Sequence, residues 1–310
     1  MNRFKNVLLD ASSMKQAAKK CAKRYWLLAP IAALGLLLVM VLLPVRPVAQ
    51  AERHPRDFVP PIVFQAAGPT GDSIQSLVDA YRAALGANNG TTPPPVPLTS
   101  GRREINWDGG NPALLATAVA GNPFAGFQVA RGALFTTPDG TGFVQAPPAA
   151  DPVMFPPGGM AGLFNNPTYG EIFTTFSPSR LFSAIGSNIT NVTFSVPGDS
   201  TARATVTGFG AVFTDVDLPD GSGPGEKHGN RKASTLIEYF DADDELLFSS
   251  FVPASPGDRS LSFLGIMFSE ARIARVRITS GNVAPGPDDG GKHDVVMMDD
   301  FIYGEPQSLH

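Results

Sequence analysis

The chain has 310 residues, with 32 Gly, 29 Pro and a single Cys, which suits one sandwich-sized domain with extensions and many turns. Residues 1–51 carry eight Lys/Arg and one acid, so the other 259 residues hold 16 bases and 27 acids, a net of −11. A body this acidic excludes a broad phosphate-binding face for nucleic acid, and Cys21, upstream of an apolar run, excludes a disulfide framework or a thiolate zinc site downstream of it.

The apolar run is Trp26–Leu43, 18 residues without a charge, preceded by Lys15, Lys19, Lys20, Lys23 and Arg24. Ala49-Gln50-Ala51 follows it as an A-x-A cleavage pattern, behind the helix breakers Pro44 and Pro47. Two readings stand. Residues 1–51 are a signal peptide, or they stay as a signal-anchor whose only membrane contact is 26–43, basic end in the cytoplasm. Both place the acidic body outside the cytoplasm: secreted, periplasmic or at the cell surface.

Residues 52–100 read as a Pro-rich tether, one amphipathic helix and a Pro-rich linker. Within the helix, expected over 72–85, Ile74, Leu77, Val78, Tyr81 and Leu85 share one stripe, Asp72 and Gln75 form a capping-box-like start, and Gly86 closes it. It is expected to pack over the sheet domain.

Residues 101–304 read as a β-sandwich, with 305–310 as a tail. Strands are expected at Arg102–Asp108, in two pieces of Phe124–Val144 around a Pro-Asp-Gly turn, at Ile189–Val196, at Thr205–Asp217, in a hairpin Leu236–Phe240 and Leu246–Val252, and at Leu261–Phe268, Ala271–Thr279 and Val295–Tyr303. In Ala271–Thr279, Ala274, Val276 and Ile278 face one way and Arg275 and Arg277 the other, as in an antiparallel strand with one wet side. The expected fold class is all-β: an antiparallel jelly-roll-like sandwich with one accessory amphipathic helix and an N-terminal apolar export helix.

Gly208-Phe209-Gly210 with Phe213, the acidic hairpin turn Asp241–Asp244, and Asp299-Asp300-Phe301 near the end of the last strand occur in that order. Over about 189–303 this pattern resembles the exported bacterial β-sandwich domains, lectin- and carbohydrate-binding-like, of PEP-CTERM-type surface proteins. The resemblance implies a sandwich fold and an extracytoplasmic location. The chain departs from the pattern at Asp244, where Gly is usual, and reaches His310 without the Pro-Glu-Pro and hydrophobic sorting tail, so that anchoring route is not expected.

The candidate site residues are mainly carboxylates. Continued alternation from Phe209 and Phe213 puts Asp215 and Asp217 on the core side, and one of Asp299/Asp300 points inward whichever face is buried. Asp108, after the first strand, joins them if the first and last strands are neighbours. Buried carboxylates need Arg, backbone N–H groups or a metal; a structural Ca2+ held by Asp108, Asp215, Asp217, Asp299 and Asp300 is one answer, and solvated or Arg-paired turn residues the other. Trp107 and Asn106 are the candidates for holding a sugar ring, and Asp241–Glu245 reads as a solvated hairpin tip. The four His residues are scattered and no nucleophile elbow is present. The expected function is an exported, non-enzymatic binding domain for a glycan, with possible structural calcium; the alternative is a structural or assembly component of the envelope, and an extracellular hydrolase ranks last.

Overall fold

The computed structural model describes residues 60–90, 96–108, 117–149, 158–217, 235–289 and 293–309. The expected export segment at 1–51, including 26–43 and Cys21, lies outside the described residues. Among the described residues no helix is long and apolar enough to cross a membrane.

In chain order the elements are β1 (Ile62–Gly68), α1 (Gly71–Leu85), β2 (Arg102–Ile105), β3 (Ala118–Gly121), α2 (Gln128–Arg131), β4 (Ala133–Thr136), β5 (Gly142–Ala146), α3 (Gly159–Leu163) and α4 (Tyr169–Ile172). They continue with β6 (Leu181–Ile185), β7 (Ile189–Val196), β8 (Asp199–Thr205), β9 (Gly208–Thr214), β10 (Leu236–Phe240), β11 (Leu246–Phe251), β12 (Leu261–Met267), β13 (Arg275–Thr279), β14 (Met297–Gly304) and β15 (Gln307–Ser308). The strands form two antiparallel sheets. One runs β1-β12-β9-β14-β6-β5-β3, with β2 also on β14; the other runs β11-β10-β13-β7-β8-β15, with β4 also on β7.

The main core lies between the sheets. Phe209, Ala211 and Phe213 of β9 meet Val192, Ile237, Val276 and Ile278 of the second sheet there. The first sheet is covered on its outer face as well. Helix α1 lays Ile74, Val78 and Tyr81 on Val212, Phe263 and Ile302, and α3 and α4 cover Leu181 and Met297. Fully burying each large apolar side chain contributes about 1.5–3 kcal/mol. Tyr81 fits because Gly210 and Gly265, paired across β9 and β12, leave room: a Cβ on either would stand 3.0 Å from its ring. Its hydroxyl donates to the Ile266 carbonyl at 3.0 Å. The second sheet keeps the alternation of a half-wet surface, with buried and partly exposed residues taking turns along β10 and β13.

The all-β sandwich and the packed helix match the expectation; several boundaries do not. Residues from 62 on are part of the sandwich, because β1 pairs with β12 over seven residues, so no free tether extends to 100. The linker is tied down by Arg103, which donates to Gly90 O at 2.8 Å and makes a buried two-point pair with Glu305 at 2.6 and 2.7 Å. The tail is not a tail: Gln307 and Ser308 form β15 against β8. Strand β8 itself occupies a stretch that reads as a polar turn, and Gln128–Arg131 is a helical turn rather than strand.

Candidate functional site

Strand β14 changes neighbour part-way along one side. It pairs with β2 from Phe301 to Gly304, and with β6 at Met298. On the other side, Met298 faces Phe213 and Phe301 faces Ala211, so β14 carries one extra residue there. This bulge overrides strand alternation. Asp299 and Asp300 are both buried, because the sheet is covered on both faces and every residue of β14 is buried. At the seam they meet Asp108, just past β2, and the loop Phe176–Arg180 that leads into β6. Neighbouring first and last strands do bring Asp108 to the pair.

The seam is fully hydrogen-bonded. Asp108 Oδ1 accepts from the amides of Ser179 (2.5 Å) and Arg180 (2.8 Å), and Asp299 Oδ2 accepts from the Phe176 amide at 2.6 Å. Ser177 Oγ lies 2.6 Å from Asp300 Oδ1 and 3.2 Å from both Asp108 Oδ2 and Asp299 Oδ1. Asp300 Oδ2 accepts from Arg82 Nη2 at 2.9 Å, and the same nitrogen donates to Glu104 at 3.0 Å. A hydroxyl donates one proton, so the three contacts to Ser177 require a proton on a carboxyl as well. Burial first, then the Asp300 charge, pushes the Asp299 carboxyl well above its usual range, and Asp299 and Asp300 are hydrogen-bonded to each other. Burial also raises Asp300, against the pull of Ser177 and Arg82. All six oxygens of Asp108, Asp299 and Asp300 thus have protein partners. Three of these oxygens, one from each Asp, share the single Ser177 hydroxyl, so the seam ties α1, β2 and β6 to β14 through protein groups alone in this structure.

Asp215 and Asp217 stand apart from this seam. Strand β9 ends at Thr214, and Asp215 takes φ 68, which shifts the alternation so that Val216, not Asp215, enters the inter-sheet core. Asp residues tolerate this left-handed conformation better than most. Asp215 is 7% exposed and its Oδ1 has no hydrogen-bond partner among the described residues. Burial, followed by the charges of Asp217, Asp294, Asp258 and Asp289, lifts its pKa to about 8. Asp217 accepts from the Gly257 amide at 2.9 Å. Among the described residues no group of three or more His, Cys, Asp or Glu side chains is placed to hold a metal ion.

Trp107 is a core residue. It adopts φ 66, which swings the indole inward; the ring stacks on Phe182 at 3.8 Å, and Nε1 donates to the Asp299 carbonyl at 2.8 Å. At 1% exposure it has no face for a sugar, which corrects its assignment as a stacking residue. Asn106 beside it is exposed but stands alone, without the ring it was expected to assist.

A groove of about 430 Å3 lies on the outer face of the second sheet. Its walls are β8, α2 and the β10–β11 turn; Gln128, Thr193, Arg203, Asp241, Asp244 and Arg275 line it. The floor follows from register: Leu134, Thr193, Arg275 and Phe240 form one row across β4, β7, β13 and β10. The Arg275 guanidinium lies 3.8 Å over the Phe240 ring and donates through Nε to Asp244 Oδ1 at 2.7 Å. Asp244 sits at φ 65, a conformation Gly takes freely, and Asp241 folds back to cap the turn, accepting from the Asp243 and Glu245 amides. The acidic hairpin tip is therefore one wall of the groove.

No family model, curated protein or solved structure matches the chain.

The groove was not among the expected sites. Alternation marks Arg275 as solvent-facing but cannot say what shares its surface. Arg203 carries no clear signal because Gly198-Asp199-Ser200, a turn signature, leads into β8, although Thr201, Arg203 and Thr205 alternate as in a strand. Ser177 and Arg82 carry no sequence signal, since only the bulge in β14 gives them their partners.

Proposed function

We propose that this chain is an extracytoplasmic, non-enzymatic binding domain, a jelly-roll sandwich that takes a glycan in the groove of its second sheet. The basic stretch before Trp26–Leu43 supports the location. The layer order β6-β14-β9-β12 against β7-β13-β10-β11 supports two interlocked Greek keys. The observation that carries the binding reading is the groove itself. Its volume falls in the roughly 300–1,000 Å3 range of small-ligand pockets, and its side chains offer both donors and acceptors, as sugar hydroxyls require. The seam carboxylates line neither this groove nor the smaller cavity by Leu85, so the reading assigns them no chemistry.

The test is a glycan screen with the full chain in detergent, comparing the wild type with Thr193→Trp, which fills the groove from an outward-facing position. Saturable binding that Thr193→Trp abolishes at unchanged Tm is expected. Absence of binding to every glycan, or binding indifferent to Thr193→Trp, overturns the reading.

Envelope assembly is the second reading, favoured by edge strand β11. Its sequence LLFSSF has no charge, and Leu246 and Phe251 are 54% and 39% exposed, as at a strand-addition edge. Co-purification of an envelope protein that is lost on Phe251→Lys would support it.

A further inference from the structure

We infer that the sugar taken by the groove is acidic and that Arg203 reads its carboxylate; this rests on the glycan reading. The argument is an account of charge in the groove. Arg275 is held by Asp244 and stacked on Phe240, so its charge is matched within the wall. Asp241 is turned into its own loop by two backbone amides. Arg203 differs. It is exposed on β8, donates once, from Nη2 to the Ala242 carbonyl at 3.2 Å, and has no carboxylate partner among the described residues. That single bond fixes the guanidinium against the β10–β11 turn and leaves its other donors for a ligand. Arginine's planar fork matches a carboxylate with two parallel hydrogen bonds, which a neutral hydroxyl cannot use.

Thr193 and Ser200 line the same groove and offer hydroxyls to the ring. Arg203 for the carboxylate and these hydroxyls for the ring define a uronic or sialic acid better than a neutral hexose. The acidic body opposes an anionic ligand at long range. At physiological salt the Debye length is about 8 Å, so the contact with Arg203 decides.

The experiment is calorimetric titration of the full chain in detergent, at physiological salt, with hexuronate and sialylated oligosaccharides, each beside its neutral methyl ester. The acid is expected to bind at least tenfold more tightly than its ester. Arg203→Gln should bring acid and ester to equal affinity, and Arg203→Lys should restore part of the preference. Unchanged Tm shows that the variants fold. Equal affinity for acid and ester, or a preference that survives Arg203→Gln, overturns the inference and leaves the glycan reading standing. Binding of neither acid nor ester also overturns the inference, and the glycan screen with Thr193→Trp then decides the glycan reading by itself.

Discussion

The two sheets of this sandwich treat their outer faces differently. The centre of the first is buried on both sides; every residue of β9 and β14 is buried, and helix α1 is fitted to it through Tyr81. The second has a packed inner face and an outer face of Thr, Asn, Arg and Glu side chains around a groove. A doubly covered sheet gives rigidity and must satisfy each polar group internally, which the seam at Asp299 and Asp300 does. A singly covered sheet can change its outer residues without touching the core. That contrast is why the proposed ligand surface lies on the second sheet, whose outer residues are free of the core.

The largest effect should come from uncovering the first sheet. Tyr81→Ala is expected to cost about 3–5 kcal/mol, read from denaturant unfolding, because it empties a fully buried site between glycines that cannot close over it. A loss below about 1 kcal/mol would mean that α1 is dispensable, and the contrast between the faces would fail.

The next effect is a pH dependence seated at the end of β9. Asp215 has a folded pKa of about 8, against an ordinary carboxylate value near 4 in the unfolded chain. Below pH 4 both states hold the proton. As the pH rises from 4 to 8 only the unfolded state releases it, so stability falls across that window and the loss is complete above 8. Asp215→Asn should therefore stabilise the protein at pH 8 and do little at pH 4.5, as read from Tm at the two values. An equal shift at both would show that Asp215 is ionised in the fold.

At the seam, Ser177→Ala leaves carboxyl oxygens short of a donor and should cost about 1–3 kcal/mol by the same unfolding measurement. The smallest effect sharpens the comparison from the other side. Asn191→Thr, outward-facing on β7, should change stability by no more than about 0.5 kcal/mol. A larger loss would mean that something covers the open face.

Much of this architecture was legible from local pattern. Ile189–Val196 alternates cleanly and is a strand over those residues; Val276 and Ile278 face inward as their spacing requires. The helix stripe at Ile74, Val78, Tyr81 and Leu85 is the buried one. What failed depends on single-residue breaks in periodicity. The bulge in β14 shifts its register at Asp299 and Asp300, within a sheet covered on both faces, and the left-handed Asp215 hands its core position to Val216. Neither break changes composition, so alternation alone reads straight through them. Trp107 misled for a related reason: its polar neighbours, Asn106 and Asp108, look like a surface, while its own backbone turn carries the ring inside.

The buried pair of Arg103 and Glu305 joins positions 202 residues apart. It is a non-covalent loop closure, and its entropic cost grows only as the logarithm of the loop length, so a clasp this long is nearly as affordable as a short one. Its timing is another matter. β2 emerges from the ribosome long before β14, and neither Arg103 nor the seam can be neutralised until residue 305 has been made. Folding is therefore governed by long-range contacts and must be slow compared with local helix formation. A clasp that closes only at the end leaves β2 and the linker before it without their last partner until residue 305 has been synthesised.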